Sequence, residues 1–246
     1  MAKTAKNPLT AKKGLSANAW TTIAIVVAAV LVIGGVLVFN RGDDAAPAPG
    51  SIPADVLRKP DSNVLIQASD TKVTIVEFLD YQCPVCESYY QNVTKKLEQD
   101  YSGKITFVTR NFPLQMHPLA IPAAKAAEAA SLQGKYREMY DKLYGDYRGW
   151  AISTDGQNVS DDTARTQTKF EAYAQELGLD VAKFRTDAAS PAVQQRIDQD
   201  TADGQKAGIT GTPTIFVNGS KFSPTGQTYD AIAEQLRGQV DGALDS

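Results

Sequence analysis

The longest apolar stretch of the chain lies near its N-terminus. Ile23 to Phe39 is a run of 17 residues without a charge, and residues 20–22 extend it to 20. A helix of that length is about 30 Å long, which matches the hydrocarbon core of a bilayer. We therefore expect residues 20–39 to form a transmembrane signal-anchor helix.

The charges around this stretch predict its orientation. Four lysines and no acid precede it, whereas Arg41, Asp43 and Asp44 follow it. By the positive-inside rule, residues 1–19 are cytoplasmic and the rest of the chain lies outside the cytoplasm. A cleaved signal peptide stays open as an alternative, although its apolar region ordinarily has only about 7–15 residues.

A linker and then a βαβ unit follow. Residues 40–61 contain four prolines among alanine, glycine and aspartate, which is typical of a semi-extended linker. Residues 73–79 are apolar on both faces and predict a central strand. A helix over residues 84–101 and a strand over 104–109 follow at a spacing that predicts parallel pairing of the two strands.

The chain from residue 115 to residue 207 has the periodicity of helices. An alanine-rich helix is predicted over residues 119–132. Beyond it, apolar side chains recur at helical spacing and predict a stripe that packs in the core. The stripe consists of Tyr136, Met139, Tyr140, Leu143, Tyr144 and Tyr147.

Capping residues predict three more helices in this stretch. Ser160 is the expected N-cap of a helix that runs to Leu177. Asp180 is the expected N-cap of a short helix, and Ser190, followed by a proline, that of a helix ending at Gly208.

Strand pattern returns at the C-terminal end. Residues 214–217 and 220–222 flank an Asn-Gly pair, which predicts a β-hairpin, and a last amphipathic helix follows. The expected fold class is α/β. Residues 62–114 and 208–246 form one domain, and residues 115–207 form a helical insertion within it.

The charge of the chain argues against one class of binding partner. The chain carries 25 Lys plus Arg against 28 Asp plus Glu, a formal net charge of −3. Residues 1–50 carry a net charge of +3 and the remaining 196 residues a net charge of −6. A mildly acidic folded part argues against nucleic acid as a partner.

The two cysteines of the chain, Cys83 and Cys86, frame the sequence Cys-Pro-Val-Cys between the predicted strand and helix. Thiols at this spacing on a first helical turn approach disulfide distance. The helix N-terminus favours a Cys83 thiolate, and Pro84 is tolerated at the first helical position. Redox chemistry is therefore expected; a structural disulfide and a copper site remain alternatives.

Glu77 is the second informative residue, because it interrupts the apolar run of the predicted central strand. Charged side chains are almost never buried without a partner. A buried carboxyl would have a raised pKa and could exchange a proton with Cys86. A polar gap or a sheet edge is the competing explanation for this residue.

Together these residues carry a family resemblance. The chain resembles the DsbA-like branch of the thioredoxin-fold oxidoreductases over about residues 62–241. The matching segments are Glu-Phe-Leu-Asp-Tyr-Gln-Cys-Pro-Val-Cys at 77–86, Asn-Phe-Pro-Leu at 111–114 and Gly-Thr-Pro-Thr-Ile-Phe-Val-Asn-Gly at 211–219.

The resemblance implies a thioredoxin fold in which the helical stretch is the inserted domain. It implies that the bond between Thr212 and Pro213 is cis and faces the cysteine pair, and that the Thr212 backbone pairs with substrate. It also implies that Glu77 is a buried catalytic acid.

Two residues complicate this interpretation. Val85 stands where the strong oxidants of this branch have histidine, so Cys83 should be less acidic and the disulfide less oxidising than in those relatives. His117, the single histidine, is expected to be a loop or capping residue at the start of the insertion; a ligand or general base is the alternative.

The expected function is therefore a membrane-anchored, extracytoplasmic thiol:disulfide oxidoreductase that needs no cofactor and no metal. We expect it to oxidise cysteines in exported proteins. A membrane oxidase of the DsbB or VKOR kind, as the resemblance implies, would restore its disulfide. A reductase or isomerase kept reduced by a membrane donor, and a copper-binding module, are the alternatives.

Overall fold

A computed structural model describes residues 51–69 and 72–246. The predicted cytoplasmic segment at residues 1–19 and the predicted transmembrane helix at residues 20–39 lie outside the described residues. Within the described residues, no helix is both long and apolar enough to span a bilayer.

Five strands form one mixed sheet. They are β1 (Asn63–Ile66), β2 (Thr74–Leu79), β3 (Thr106–Asn111), β4 (Thr214–Val217) and β5 (Ser220–Lys221). The order across the sheet is β1-β3-β2-β4-β5. β2 and β3 are parallel, as the βαβ pattern predicts, and the other neighbours are antiparallel. The apolar run of the sequence is therefore the central strand β2.

The hairpin forms at the predicted Asn-Gly turn. Asn218 and Gly219 both have positive φ angles, of 46° and 83°. Asparagine and glycine tolerate this left-handed conformation best, and it matches the twist of two paired strands. The local sequence is thus sufficient to specify this turn.

The N-terminal end of the described chain differs from the prediction. β1 is a strand that the sequence analysis does not predict, because four residues without alternation carry no clear periodicity. A short helix, α1 (Ala54–Leu57), precedes it and buries Leu57. This part of the predicted linker over residues 40–61 is therefore packed against the domain rather than extended from it.

The helix after the cysteines is not uniform. It consists of α2 (Pro84–Tyr89), a π-helical turn (Tyr90–Thr94) and α3 (Lys95–Asp100), where a single helix over residues 84–101 is predicted. The ring of Tyr90 lies in the π-helical turn and stacks on that of Tyr144, with 5.1 Å between centroids. Such a tertiary contact has no counterpart in the local periodicity, so the sequence alone does not indicate the turn.

Six helices make up the insertion. They are α4 (Ala120–Ser131), α5 (Tyr136–Gly145), α6 (Tyr147–Trp150), α7 (Thr163–Glu176), α8 (Val181–Ala188) and α9 (Pro191–Lys206). A final helix, α10 (Tyr229–Asp245), follows the hairpin. Asp180 and Ser190 cap α8 and α9 as predicted.

The predicted cap of α7 is wrong. Asp162, not Ser160, accepts the hydrogen bond from the backbone N–H of Arg165. Ser160 lies two residues earlier and is buried. Its carbonyl oxygen instead accepts a hydrogen bond of 2.7 Å from the side chain of Gln82. Both residue types are good caps, so local preference alone does not distinguish them.

The predicted stripe of the insertion is part of the core. Its six side chains are buried, and those of α5 pack toward β2 and the helix that follows the cysteines. The Tyr81 ring lies 6.1 Å from that of Tyr140 and 5.3 Å from that of Tyr144. The insertion and the sheet therefore share one core.

A buried ionic cluster holds α9 against the end of β3. Arg110 is 1% exposed and donates to Asp200 at 2.5 Å and to Asp203 at 2.9 Å. It also donates to the carbonyl oxygens of Val56 and Leu57 in α1. One guanidinium thus joins the sheet, the insertion and the N-terminal helix.

Removing this guanidinium should be strongly destabilising. In Arg110→Met, buried Asp200 loses its cationic partner and Asp203 keeps only the longer ion pairs with Lys59 and Lys206. We therefore expect a loss of about 3–5 kcal/mol in the free energy of unfolding. Urea denaturation monitored by circular dichroism would measure it. Arg185→Ala, which breaks an exposed ion pair with Glu171, is the control and should leave the midpoint nearly unchanged. Equal midpoints for both variants would contradict this role of Arg110.

Candidate active site

Both cysteines lie where β2 passes into the first turn of α2. Cys83 is the N-cap of α2 and Pro84 occupies the first helical position. The N–H of Cys83 donates to the carbonyl oxygen of Asp80 at 3.1 Å, which closes the turn between strand and helix. Both cysteines are free thiols. Val85 is 47% exposed, whereas Cys83 and Cys86 are 5% and 1% exposed.

The two thiols have opposite electrostatic environments. The pKa of Cys83 is lowered to about 6, first by a hydrogen bond from the Cys86 thiol and then by the amides of the helix N-terminus and by Thr212. Burial raises the pKa of Cys86 well above its usual range, and the charges of Cys83 and Glu77 raise it further. At neutral pH the pair therefore holds a thiolate at Cys83 and a proton at Cys86.

The loop before β4 reaches the cysteines because of the sheet order. β4 lies antiparallel beside β2, and Thr214 pairs with Phe78 near the end of β2. The residues just before Thr214 therefore meet the residues just after β2. The bond between Thr212 and Pro213 is cis. The thiol of Cys83 donates to the carbonyl oxygen of Thr212 at 3.6 Å.

Glu77 lies in the middle of the sheet rather than at an edge. It pairs with Thr109 of β3 on one side and Ile215 of β4 on the other, and it is 2% exposed. Burial, with a smaller contribution from the charge of Glu98, raises the pKa of Glu77 to about 8. The carboxyl is therefore largely protonated at neutral pH, and it can exchange a proton there.

Several tyrosines interact electrostatically with this carboxyl. The charge of Glu77 raises the pKa values of four of them, so all four lie within its electrostatic reach. They are Tyr89, Tyr136, Tyr140 and Tyr144. Three belong to the stripe that the sequence analysis assigns to the core. The stripe is core, and three of its tyrosines are also within electrostatic reach of Glu77, which periodicity alone does not reveal.

Gln82, the residue before Cys83, is an anchor that the sequence analysis misses. It is fully buried and donates to the carbonyl oxygens of Ala151 and Ser160 at 3.1 and 2.7 Å. Its side-chain oxygen accepts from the N–H of Leu119 at 2.6 Å. Its own carbonyl oxygen accepts from the Tyr147 hydroxyl at 2.6 Å. The insertion thus fixes the position of the loop that carries Cys83.

His117 lies in the loop before α4, as expected, and is held there by Asp80. Its Nδ1 is 2.7 Å from Asp80 Oδ2, and that hydrogen bond raises the pKa of His117. The charge of Cys83 raises this pKa further, so the ring lies within electrostatic reach of the thiolate. The only sequence signal for this contact was an acid directly after the central strand.

A groove adjoins the N-terminus of α2. It has a volume of about 360 Å³ and is lined by Pro84, Glu87 and Ser88 of α2 and by residues 144–148 and Ile152 of the insertion. Among the residues that the structure describes, no three His, Cys, Asp or Glu side chains are grouped so that they could hold a metal ion.

A sequence profile described as Thioredoxin matches residues 61–237. The structure resembles a thioredoxin-like oxidoreductase from Silicibacter pomeroyi, with a TM-score of 0.61, 29% identity and coverage of 79% of this chain and 99% of that one. It also resembles alpha-DsbA1 from Wolbachia pipientis, with a TM-score of 0.61, 19% identity and coverage of 77% and 94%. The expected thioredoxin-like α/β fold with a helical insertion is thereby confirmed.

A curated relative is the Na(+)/H(+) antiporter NhaA 1 of Mycolicibacterium vanbaalenii. It is 32% identical over 203 residues, which cover 80% of this chain and 30% of that protein. The chain spans about a third or less of the length of the curated relatives first matched. The similarity therefore concerns one part of those proteins.

The buried carboxyl should make stability depend on pH. The pKa of Glu77 is raised from 4.5 to about 8, so its contribution is fully present below pH 4.5 and is lost as pH rises through 8. Glu77→Gln carries no such proton. Its free energy of unfolding relative to wild type should therefore increase between pH 4.5 and 8, by at most about 5 kcal/mol.

Thermal unfolding of both proteins across this pH range would measure the effect. Glu138→Gln is the matched control, because Glu138 lies at the surface beside Lys135 and its pKa is lowered rather than raised. The control should show no gain as pH rises. A parallel pH dependence in Glu77→Gln and wild type would mean that Glu77 titrates normally.

Proposed function

Because the chain belongs to the thioredoxin family and is a thiol–disulfide oxidoreductase, we propose that it oxidises dithiols in exported proteins through Cys83 and Cys86. The asymmetry of the two thiols carries this proposal. The pKa of Cys83 is about 6, well below that of an ordinary thiol. A stabilised thiolate favours the reduced enzyme, and that makes the disulfide a stronger oxidant.

The reaction begins with the disulfide form. A substrate thiolate attacks the sulfur of Cys83, the Cys83–Cys86 bond breaks, and Cys86 leaves as a thiolate. Glu77 gives its proton to Cys86, whose thiolate is disfavoured by burial. A second substrate thiolate attacks the substrate sulfur of the mixed disulfide, and Cys83 leaves as a thiolate. The substrate loses two electrons, and the enzyme disulfide gains them and becomes a dithiol.

The substrate is an extended segment beside the cis-proline loop. The backbone of Thr212 would pair with it by strand addition, which positions a substrate sulfur near Cys83. The carbonyl oxygen of Thr212 already lies within hydrogen-bond distance of the Cys83 thiol. Residues flanking the substrate cysteine would occupy the groove that adjoins Pro84.

The enzyme is anchored in the membrane. This part of the proposal rests on the 20 uncharged residues at 20–39 and on the four lysines before them. The anchor places the redox domain outside the cytoplasm, next to exported chains as they emerge. A membrane oxidase of the DsbB or VKOR kind would restore the disulfide and pass the two electrons on.

The reduction potential tests the direction of electron flow. The pKa of about 6 at Cys83 lies between about 3.5 for DsbA and about 7 for thioredoxin. We therefore expect a potential between about −120 and −270 mV in glutathione buffers. Val85→His places a cation beside Cys83 and should move the potential to less negative values. A wild-type value at or below that of thioredoxin would favour a reductase held reduced by a membrane donor.

Trapping in cells tests the substrate class. In Cys86→Ala, the Cys83 thiolate attacks a disulfide of an exported protein and releases one of its sulfurs as a thiolate. No Cys86 thiol remains to displace the bound protein, so mixed disulfides should accumulate in the membrane fraction after acid quenching and alkylation. Cys83→Ala is the matched control and should trap none. An absence of adducts in Cys86→Ala would show that proteins are not the substrates.

A further inference from the structure

Asp80 is a buried residue that joins the loop of Cys83 to the start of the insertion. It is 1% exposed. Its Oδ1 accepts a hydrogen bond of 2.7 Å from the N–H of Gln82, and its Oδ2 accepts one of 2.9 Å from the N–H of Leu114. Oδ2 also lies 2.7 Å from Nδ1 of His117. The carbonyl oxygen of Asp80 accepts from the N–H of Cys83. One residue therefore contacts both the imidazole and the cysteine loop.

A second contact holds the same two segments together. The side-chain oxygen of Gln82 accepts from the N–H of Leu119, two residues beyond His117. Gln82 itself directly precedes Cys83. Residues 114, 117 and 119 are thus bound to residues 80 and 82, on the N-terminal side of the cysteine. These hydrogen bonds fix the position of the imidazole relative to the cysteine loop.

His117 is suited to carry the positive charge that a buried carboxylate needs. A charged side chain is almost never buried without a partner, and Asp80 has an ion pair with His117. The side chain of His117 is 8% exposed, and that of Asp80 is fully buried. The hydrogen bond from Asp80 raises the pKa of His117 above its ordinary value of 6.5. The ring therefore keeps its proton to higher pH than a free histidine does.

The imidazolium and the Cys83 thiolate stabilise each other. The charge of Cys83 also raises the pKa of His117. Coupling between two sites is reciprocal, so the charge of His117 lowers the pKa of Cys83 by the same amount. Val85, between the cysteines, carries no charge. The insertion therefore supplies a cation that the Cys-Pro-Val-Cys sequence itself lacks.

We propose that His117, held by Asp80, is the cation that stabilises the thiolate of Cys83, and that its protonation couples the redox equilibrium of the cysteine pair to pH. His117 acts through Cys83, so it is a positioning residue. This inference rests on the proposed function, because it assigns a group that sets the strength of that oxidant.

The neighbouring titratable groups leave this coupling to two residues. The charged groups that interact with His117 are Asp80, in the turn after β2, and Cys83, at the start of α2. Cys83 also interacts with Cys86 and Tyr147, and burial raises the pKa of both well above neutrality. Cys86 and Tyr147 therefore stay protonated at neutral pH, where His117 and Cys83 titrate.

The electrons and protons of the reaction balance with this coupling included. A substrate dithiol gives two electrons, which break the Cys83–Cys86 bond, and it releases two protons as its own disulfide forms. Cys86 takes up one proton, and Cys83 remains a thiolate. His117 takes up part of the other proton, because the thiolate favours its charged form, and the rest passes to solvent. The contribution of His117 to the oxidising strength is therefore present below its raised pKa and lost above it.

The single histidine of the chain makes the coupling directly measurable. The full chain is purified in detergent without a histidine tag, and the imidazole resonances of His117 are titrated by NMR in the disulfide form and in the dithiol form. We expect a higher pKa in the dithiol form, because the disulfide form has no thiolate at Cys83. The same pKa in both forms would overturn the inference, and this test needs no substitution.

His117→Asn tests the reverse effect, because its amide can donate to Asp80 but carries no charge. The thiolate absorbance of the reduced variant should titrate at higher pH than that of wild type. The equilibrium with glutathione should shift by about fivefold toward the disulfide form. Both differences should vanish as the pH rises above the pKa of His117. Glu77 is present in both proteins, so its own titration cancels in the comparison.

A control and a rescue accompany this variant. Lys183→Asn removes an exposed cation of α8 that pairs with Asp187, and it should titrate as wild type. Val85→His in the His117→Asn background returns a cation beside Cys83 and should lower the pKa of Cys83 again. If His117→Asn is less stable but keeps the wild-type pKa of Cys83 and the wild-type glutathione equilibrium, His117 is structural and the inference is wrong.

The outcomes separate this inference from the proposed function. If wild type equilibrates with glutathione but His117 titrates identically in both redox forms, the coupling is wrong and the redox chemistry stands. A potential at or below that of thioredoxin, with a redox-dependent pKa of His117, would refute the oxidase direction and leave the coupling intact. If wild type does not exchange with glutathione at all, the proposed function fails, and the inference fails with it.

Discussion

The free-energy cost of burying polar side chains is the constraint on which much of this structure depends. Where such groups have hydrogen-bond or ion-pair partners, they fix the relative positions of the segments that they join. The side chain of Gln82 forms hydrogen bonds with backbone groups of the insertion and so fixes the position of the loop that carries Cys83. Arg110 does the same at the far end of β3 by pairing with two carboxylates of α9. Because such partners are expensive to lose, the insertion and the sheet behave as one body around the cysteines.

Where burial disfavours a charged form, the same cost sets the protonation states of the active site. Glu77 keeps its proton at neutral pH because the interior disfavours its charge, and Cys86 keeps its proton for the same reason. At Cys83, hydrogen bonds that stabilise the anion outweigh the effect of burial on its pKa, whereas at Cys86 burial outweighs them. A nucleophile, a proton donor and a buried leaving group therefore arise from one sheet position and one helix end. Val85 contributes no charge, so helix and thiol hydrogen bonds lower the pKa without a histidine between the cysteines.

Much of the fold followed from local patterns, and the exceptions have physical causes. Capping side chains and the Asn-Gly turn act within a few residues, so Asp180, Ser190 and the hairpin were predictable. The N-cap of α7 was not predictable, because Ser160 and Asp162 are both good capping residues and lie two positions apart. The hydrogen bond from Gln82 to the Ser160 carbonyl oxygen is a tertiary contact that no local pattern indicates. β1 exists through its pairing with β3, and the π-helical turn contains Tyr90, which stacks on Tyr144; both depend on residues far away in the chain.

The features of the candidate site can likewise be separated into those that the sequence predicts and those that depend on tertiary contacts. The sequence by itself determined the redox pair and the acid in the central strand, because residue type and spacing identify them, and the family resemblance implied the role of the threonine–proline pair. Only the tertiary structure decided that Glu77 lies inside the sheet, that Asp80 holds His117, and that Gln82 fixes the loop before Cys83. Those relations join residues from separate elements, and their energies depend on burial and distance. A linear pattern records which side chains are buried, whereas the packing of the elements decides which of them meet.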